Sequence, residues 1–503
     1  MSETAVLVLG DQLFSPAALD EHRGQRVFMR EDWGLCTTVA HHQQKLVLFL
    51  AAMRSYRDAL RERGHEVCYE PLEADSGAGA GSYEDALGRF FERHGIRNLV
   101  TWEVQDRFFA TRLDARCREH GVQLQTRSSP MFVTPSDELD AWFGEQRPHM
   151  AAFYRWQRRR MGLLLDADGK PQGGRWSFDA DNREPLPREL PLPGLRTAPV
   201  TAHVKALVPI VREHFGEHPG ELSLETWWLP TTRAQALRWL REFLAQRFAS
   251  FGPYEDALSQ RDPFLFHSVL TPMLNLGLLT PQEVLDRALA HAAEHAVPIN
   301  SLEGFVRQLV GWREFVRGID RRYGAQQDEA NFFGHRRRLT RHWFEGTTGL
   351  PPMDEVITKA QRWGWAHHIE RLMIAANLMT LCEIEPRAAH RWFMEMFVDS
   401  AQWVMGPNVY GMGIFSDGGV FATKPYICGS NYVRKMSEHG RGPWCDVMDG
   451  LYWRFIGQNR EFFRGQARLA QVVGTLDRMK PARKETIFNA AEGFLSQRTE
   501  VGP

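Results

Sequence analysis

The chain has 503 residues, and its 61 lysines and arginines against 62 aspartates and glutamates leave a net charge of -1. That length exceeds what one hydrophobic core serves and predicts two or three domains, while the balanced charge gives no global sign of a nucleic-acid binder. Six cysteines without a CxxC pair exclude a disulfide framework and predict a reducing compartment.

The N-terminal MSETAVLVLGDQL turns polar after a short apolar run, which reads as a strand and not as a signal peptide. No window approaches 18 uninterrupted apolar residues, so no membrane span and a cytoplasmic location are expected. Up to about residue 135, strands (AVLVLG, QRVFMRE, HEVCYEP, NLVTWEV, VQLQTR) alternate with helices, and the helices close on glycine. This pattern predicts an α/β domain with a doubly wound parallel sheet over 1–135. Ligands of such sheets sit at the carboxyl ends of strands, where Asp11 and Gln12 leave the first strand, but no GxGxxG follows. Residues 136–220 include DADGKPQGGRWSFDADNREPLPRELPLPG, dense in Gly, Pro and Asp, and are expected to form a long loop-rich connector. From 221 to 503 helical periodicity dominates, no β-rich segment is evident, and a large all-α domain is expected.

Charge clusters locally. Arg155, Arg158, Arg159 and Arg160 form one knot, and Arg336, Arg337, Arg338 and Arg341 a second. Either is a solvated helix face or a set of phosphate contacts. In PYEDALSQRDPFLFHSVLTPMLNLGLLTP, hydroxyls near a helix start either cap it or leave its N–H groups to an anion. RQLVGWREF places Gln308, Trp312 and Arg313 on a buried-looking helix, where an arginine needs a partner. In HHIERLMIAANLMTL, His368, Arg371 and Ala375 share a helix face, and Asp399 is available to Arg371 from the next helix. His368 taken alone reads as a satisfied core histidine rather than a catalyst.

The ordered set LGDQL, HHQQK, AAMR, GGRWSFDADNR, GWREF, AHHIERLM, DGG, KPY and SNY resembles the photolyase/cryptochrome superfamily along nearly the whole chain. The closest likeness is to its iron–sulfur bacterial cryptochromes and prokaryotic (6-4) photolyases. The resemblance implies FAD folded into a U within the helical domain. Tyr254, His267, Ser268, Leu270 and Thr271 would line its diphosphate and ribityl side, and Arg371 with Asp399 would hold the isoalloxazine. Asn275, Gln308, Trp312, Arg313, Met405 and Asn408 would complete the pocket. Trp392 would relay electrons, unless it is a packing tryptophan.

An antenna, 6,7-dimethyl-8-ribityllumazine in this branch, would sit near Asp11, Gln12 and Glu31. Ultraviolet-damaged DNA would meet Arg159, Arg160, Asp179, Asn182 and Arg183, with His367, His368, Tyr426 and Tyr432 facing a flipped-out lesion. The implied activity is light-driven repair of (6-4) photoproducts by electron transfer from reduced FAD, in a monomer. The alternative is a cryptochrome-like photoreceptor without repair.

Two departures stand out. The branch binds a four-iron cluster through four thiolates, yet only Cys445 falls at a ligand position. The upstream ligand aligns near Pro352, Cys428 sits too early, and Cys382 lies on a helix after the double histidine. No iron–sulfur cluster, and no other metal, is therefore expected. Met405 replaces the usual polar neighbour of flavin N5 and cannot shuttle a proton. Phe344 and Phe393 occupy positions where electron-hopping aromatics often lie.

Overall fold

The computed structural model describes residues 2–72, 81–145, 147–466 and 469–502. Strands β1 (Thr4–Leu7), β2 (Arg26–Arg30), β3 (Glu66–Glu70), β4 (Asn98–Trp102) and β5 (Gln123–Arg127) form a parallel sheet in the order β3-β2-β1-β4-β5. Val6 of β1 pairs with Val27 of β2 and Val100 of β4. β1 is apolar at successive positions because both its faces are covered. Ala5 and Leu7 join a core with Leu87, Phe91, Phe109 and Leu113, contributed by the helices Tyr83–His94 and Arg107–Glu119. Val6 and Val8 point the other way, toward Val47, Leu50 and Ala51 of the helix Gln43–Glu62. Ser82 and Asp85 close a reciprocal cap on the first of these helices, and Gly95, at φ 63°, ends it in the left-handed region that glycine tolerates best.

The connector departs from expectation. Ser136–Glu145, Met150–Met161 and Ala202–His214 are helices, and most of the irregular structure lies between the last two. A small antiparallel ribbon, β6 (Arg337–Leu339) with β7 (Thr499–Val501), also interrupts the expected all-helical region. No helix among the described residues is long and apolar enough to cross a membrane.

The sheet domain is fastened to the helical region by the HHQQK stretch at the start of helix Gln43–Glu62. His42 Nε2 lies 3.1 Å from the Ala360 carbonyl. Gln43 Nε2 donates to the carbonyls of His218 and Gly220, both at 3.0 Å. Gln44 Nε2 donates to those of Glu221 and Arg362, both at 2.7 Å. These bonds tie the start of this helix to the segments around 218–221 and 360–362. Gln44→Ala removes two such bonds at a buried position, and the folded state should lose about 1–3 kcal/mol. A lower urea midpoint with an unchanged slope is the expected result.

Candidate functional site

Three helical stretches of the second domain contain a widened, π-type turn: Arg307–Trp312, Glu370–Ala376 and Pro407–Gly413. Such turns loosen the backbone ladder and recur at functional sites. Gly311 permits one of them to pack closely, since a Cβ there would meet Met150 Cε at 2.8 Å and the Tyr154 ring at 3.0 Å. Along these stretches nearly every side chain is buried, and the exceptions are regular. From Phe305 to Asp320 only Gln308, Trp312 and Arg313 are accessible, and from Trp403 to Ser416 only Val404 and Asn408. From Gly364 to Cys382 the accessible residues are His368, Arg371 and Met373. Most of these were expected at the flavin site from the sequence.

An ion pair sits at the centre. Arg371 Nη1 and Nη2 donate to the two oxygens of Asp399 at 2.9 and 3.1 Å, and Arg371 Nε donates to the Ala366 carbonyl at 2.7 Å. The guanidinium lies over the Phe397 ring at 3.9 Å. The Asp399 carbonyl accepts from Asn275 Nδ2 at 2.9 Å, and Asn275 Oδ1 accepts from Arg313 Nη1 at 2.8 Å. Arg313 is also held over the Trp403 ring, and burial brings its pKa down to about 10. From the sheet domain, Lys45 Nζ donates to Ser400 Oγ at 2.9 Å and lies 3.2 Å from His41 Nδ1. Burial depresses Lys45 to about 7, against the opposing attraction of Asp399.

A second cluster centres on Glu255, which the sequence did not single out. Gln308 Nε2 donates to it at 2.5 Å and Asn182 Nδ2 at 3.1 Å, and Arg307 lies 3.5 Å away. Burial raises this carboxyl to about 7 even so, with Arg307 opposing. Its signal in the sequence is the polar YED run between buried phenylalanines. Asn182, expected against DNA, is buried and turned inward to Glu255 and the Asn300 carbonyl, because its amide is needed there.

The imidazoles divide by environment. His267 and His367 stack at 4.8 Å and 17°, and neither ring nitrogen of His367 has a hydrogen-bond partner. Burial, the largest effect, holds both neutral. His368 is exposed and no core histidine. The surrounding protein and Arg371 lower its pKa, a shift that its open surface partly relieves. It is therefore neutral at pH 7 in the free protein. Tyr426 is 36% exposed and Tyr432 half-buried, and burial holds both as neutral hydroxyls. Arg183, ion-paired with Asp179, lies within electrostatic reach of both tyrosines.

Other expected residues have settled roles. Trp392 is fully buried, donates to the Trp343 carbonyl at 2.8 Å and sits 5.7 Å from Phe397, the ring beneath Arg371. Met405 is buried, and Asn408 donates to the Val404 carbonyl at 2.8 Å. Tyr254 packs on Phe266. Leu270 precedes a helix of only six residues, Thr271–Leu276, which no side chain of Ser268, Leu270 or Thr271 caps. Arg160 bonds to Gln157, Glu138 and the Val133 carbonyl, so it is committed within the protein, whereas Arg159 is exposed over Trp176. Gln12 and Glu31 are likewise committed. Gln12 bonds to the Trp102 carbonyl and Thr101, and Glu31 to Arg54, Tyr69 and the Leu72 N–H. Neither is free to hold an antenna, and burial raises the Asp11 carboxyl to about 6. Cys428 is a packing thiol bonded to Asn377 and pushed by burial to about 12. Cys445 is buried, and no three His, Cys, Asp or Glu side chains among the described residues come together as a metal site.

A folded dinucleotide requires cationic and amide donors along an interior hollow with aromatic walls. Arg371, Arg313, Gln308, Asn408 and Trp312, with the unpartnered His267 Nε2, supply that set, so the residues fit a flavin. A parallel sheet domain bonded to a helical region that carries such a donor set has the architecture of a flavoprotein. Residues 6–227 match the family described as deoxyribodipyrimidine photo-lyase-related protein, and residues 305–438 match the FAD binding domain of DNA photolyase. A (6-4) photolyase of Agrobacterium fabrum is 34% identical over 509 residues, covering 97% of this chain and 98% of that protein. The deoxyribodipyrimidine photo-lyase of Escherichia coli is 28% identical over 35% of this chain and 38% of its own length. In fold, the chain is similar to a bacterial class III photolyase from Agrobacterium tumefaciens (TM-score 0.57, 16% identity, 99% of this chain and 98% of that one). It is equally similar to a Synechocystis cryptochrome (TM-score 0.58, 12% identity, 98% and 99%). The chain belongs to the photolyase/cryptochrome family.

Asp399→Ala strands a guanidinium and should cost about 3–5 kcal/mol, with loss of bound flavin read by absorbance. For Lys45 the sign is set by its depressed pKa. The unfolded chain holds this proton up to pH 10.5 and the folded chain only to about 7. The penalty is therefore full below pH 7 and relieved above it. Relative to Lys45→Met, the parent should gain stability from pH 7 to 9 in paired melts.

Proposed function

We propose that this protein is a DNA photolyase that reverses (6-4) pyrimidine–pyrimidone photoproducts in ultraviolet-damaged DNA. The observation that carries this reading is His368, an exposed imidazole beside the Arg371–Asp399 pair at the edge of the flavin hollow. The whole-chain likeness to a (6-4) photolyase supports the choice of lesion. FAD held by these residues would supply, when reduced and excited by light, an electron to the lesion and would recover it once the bases part. The protein does the rest. The Arg371–Asp399 pair fixes a field on the hollow and excludes water from its floor. A ring nitrogen of His368 delivers a proton to the lesion's transferred hydroxyl. Tyr426 and Tyr432, both neutral, donate hydrogen bonds to base edges, and exposed Arg183 meets the backbone.

In this reading residues 1–135 form the antenna-side domain, 136–220 the connector and 221–503 the flavin and lesion domain. Cys428 and Cys445 are structural thiols, and no iron–sulfur cluster is bound. Iron and sulfide assays on anaerobically prepared protein should be near blank; about four irons per chain would refute this.

His368→Ala should keep flavin and damaged-DNA binding and lose light-dependent repair by a factor on the order of 10² to 10⁴. Because the group must be protonated to act and its pKa is lowered, the parent's repair rate should rise as pH falls from 8 to 6. The variant's residual rate should lack that dependence. Photoreduction of the parent without repair of either major ultraviolet lesion would assign the protein to light sensing instead.

A further inference from the structure

The helix Met150–Met161 has two working faces. Its inner face carries Phe153, Tyr154, Gln157 and Arg158, all buried, and packs on the Arg307–Trp312 turn that bears Gln308. Gln157 and Tyr154 both bond to carbonyls around that turn. Its outer face opens a cleft of about 330 Å³, lined by Trp142, Ala152, Arg155, Trp156, Arg159 and Trp176. This is the volume of a small-ligand site.

The chemistry of the cleft is specific. Three indoles supply flat apolar walls. The Arg159 guanidinium stacks over the Trp176 ring at 5.0 Å, and Trp142 and Trp156 lie 6.3 Å apart. Arg155 and Arg159, one helical turn apart and both exposed, form no ion pair with any described residue. No acidic side chain among the described residues lines the cleft. Trp176 is held in place from behind, because buried Arg158 donates to its carbonyl at 3.0 Å, and the preceding Gly173–Gly174 turn has φ of 71° and 75°. Aromatic faces next to unpaired guanidiniums suit an unstacked base that carries a phosphate.

The cleft also has a direction. Trp176 is seven residues before Arg183, which lies beside Tyr432, so a chain span of at most about 25 Å separates them. We propose that this cleft is a second nucleotide site, in which one base of the DNA strand leaving the lesion mouth stacks on Trp176. Arg155 and Arg159 hold its flanking phosphates. The proposal rests on the DNA-repair reading for its strand, and the shared chemistry, base plus phosphate, also describes a free mononucleotide.

The test uses the full-length flavin-loaded protein in the dark, with an undamaged single-stranded 12-mer of thymidine and, separately, AMP. Neither probe requires a lesion, so a failure of repair and a failure of the cleft are read independently. Arg155→Ala with Arg159→Ala should weaken 12-mer binding by about tenfold or more near 0.1 M salt. It should also flatten the log–log salt dependence by about 1.4, two contacts at 0.7 each. Trp176→Ala should abolish the fluorescence quenching that the 12-mer produces in the parent, and Trp176→Phe should retain most of the affinity. Unchanged flavin content would show that both variants fold. Parent-like affinity and salt slope in the arginine variant would overturn the proposal. So would AMP binding in the cleft that the 12-mer cannot displace, which would assign it to a free mononucleotide.

Discussion

The arrangement of the functional region depends on the bidentate pair between Arg371 and Asp399. Two largely buried charges gain little net stability from each other, since the cost of desolvating them offsets most of their attraction. What the pair provides is position. Asp399 accepts from Arg371 through its carboxylate and from Asn275 through its carbonyl, and Asn275 in turn orients Arg313. The next residue, Ser400, receives Lys45 from the sheet domain. One short turn thereby registers four distant segments against one another, and a displaced Asp399 would disturb every one of them.

Much of this was legible in the sequence because the relevant signals are local. The successive apolar residues of AVLVL report a strand covered on both faces, and the glycines after the first-domain helices report left-handed ends. Gln308, Trp312, Arg313, His368, Arg371 and Asn408, the residues the motif resemblance points to, fall on the accessible side of otherwise buried stretches. The failures share a cause. The Pro- and Gly-rich run at 166–194 carries a stronger local signal than its neighbours, so the helices Ser136–Glu145 and Met150–Met161 are not legible as separate elements. Asn182, Gln12 and Glu31 looked like free polar groups because a sequence does not reveal which buried carboxylate or carbonyl claims a side chain. Glu255 was overlooked for the converse reason: its three donors come from stretches around 182 and 307, far away in the chain.

The paired histidines illustrate how neighbours along the chain acquire different chemistry. His367 points into a stack with His267 and has no access to water, while His368 opens outward next to a guanidinium. Nothing in the dipeptide itself distinguishes them. His367 precedes the helix that His368 opens, and along that helix each side chain is turned roughly 100° from the last, so that one histidine belongs to the packing and the other to the mouth.

The same angle governs the three widened turns. Each holds one residue more than a regular helix of the same rise, and that surplus residue sets the phase of everything after it. Excising a single residue from Glu370–Ala376 would let the segment relax to ordinary α-helix at no loss of backbone bonding. It would also rotate the following turn by about 100° relative to His368 and Arg371. A substitution in these stretches acts at its own position, whereas an insertion or deletion re-aims every side chain that follows it.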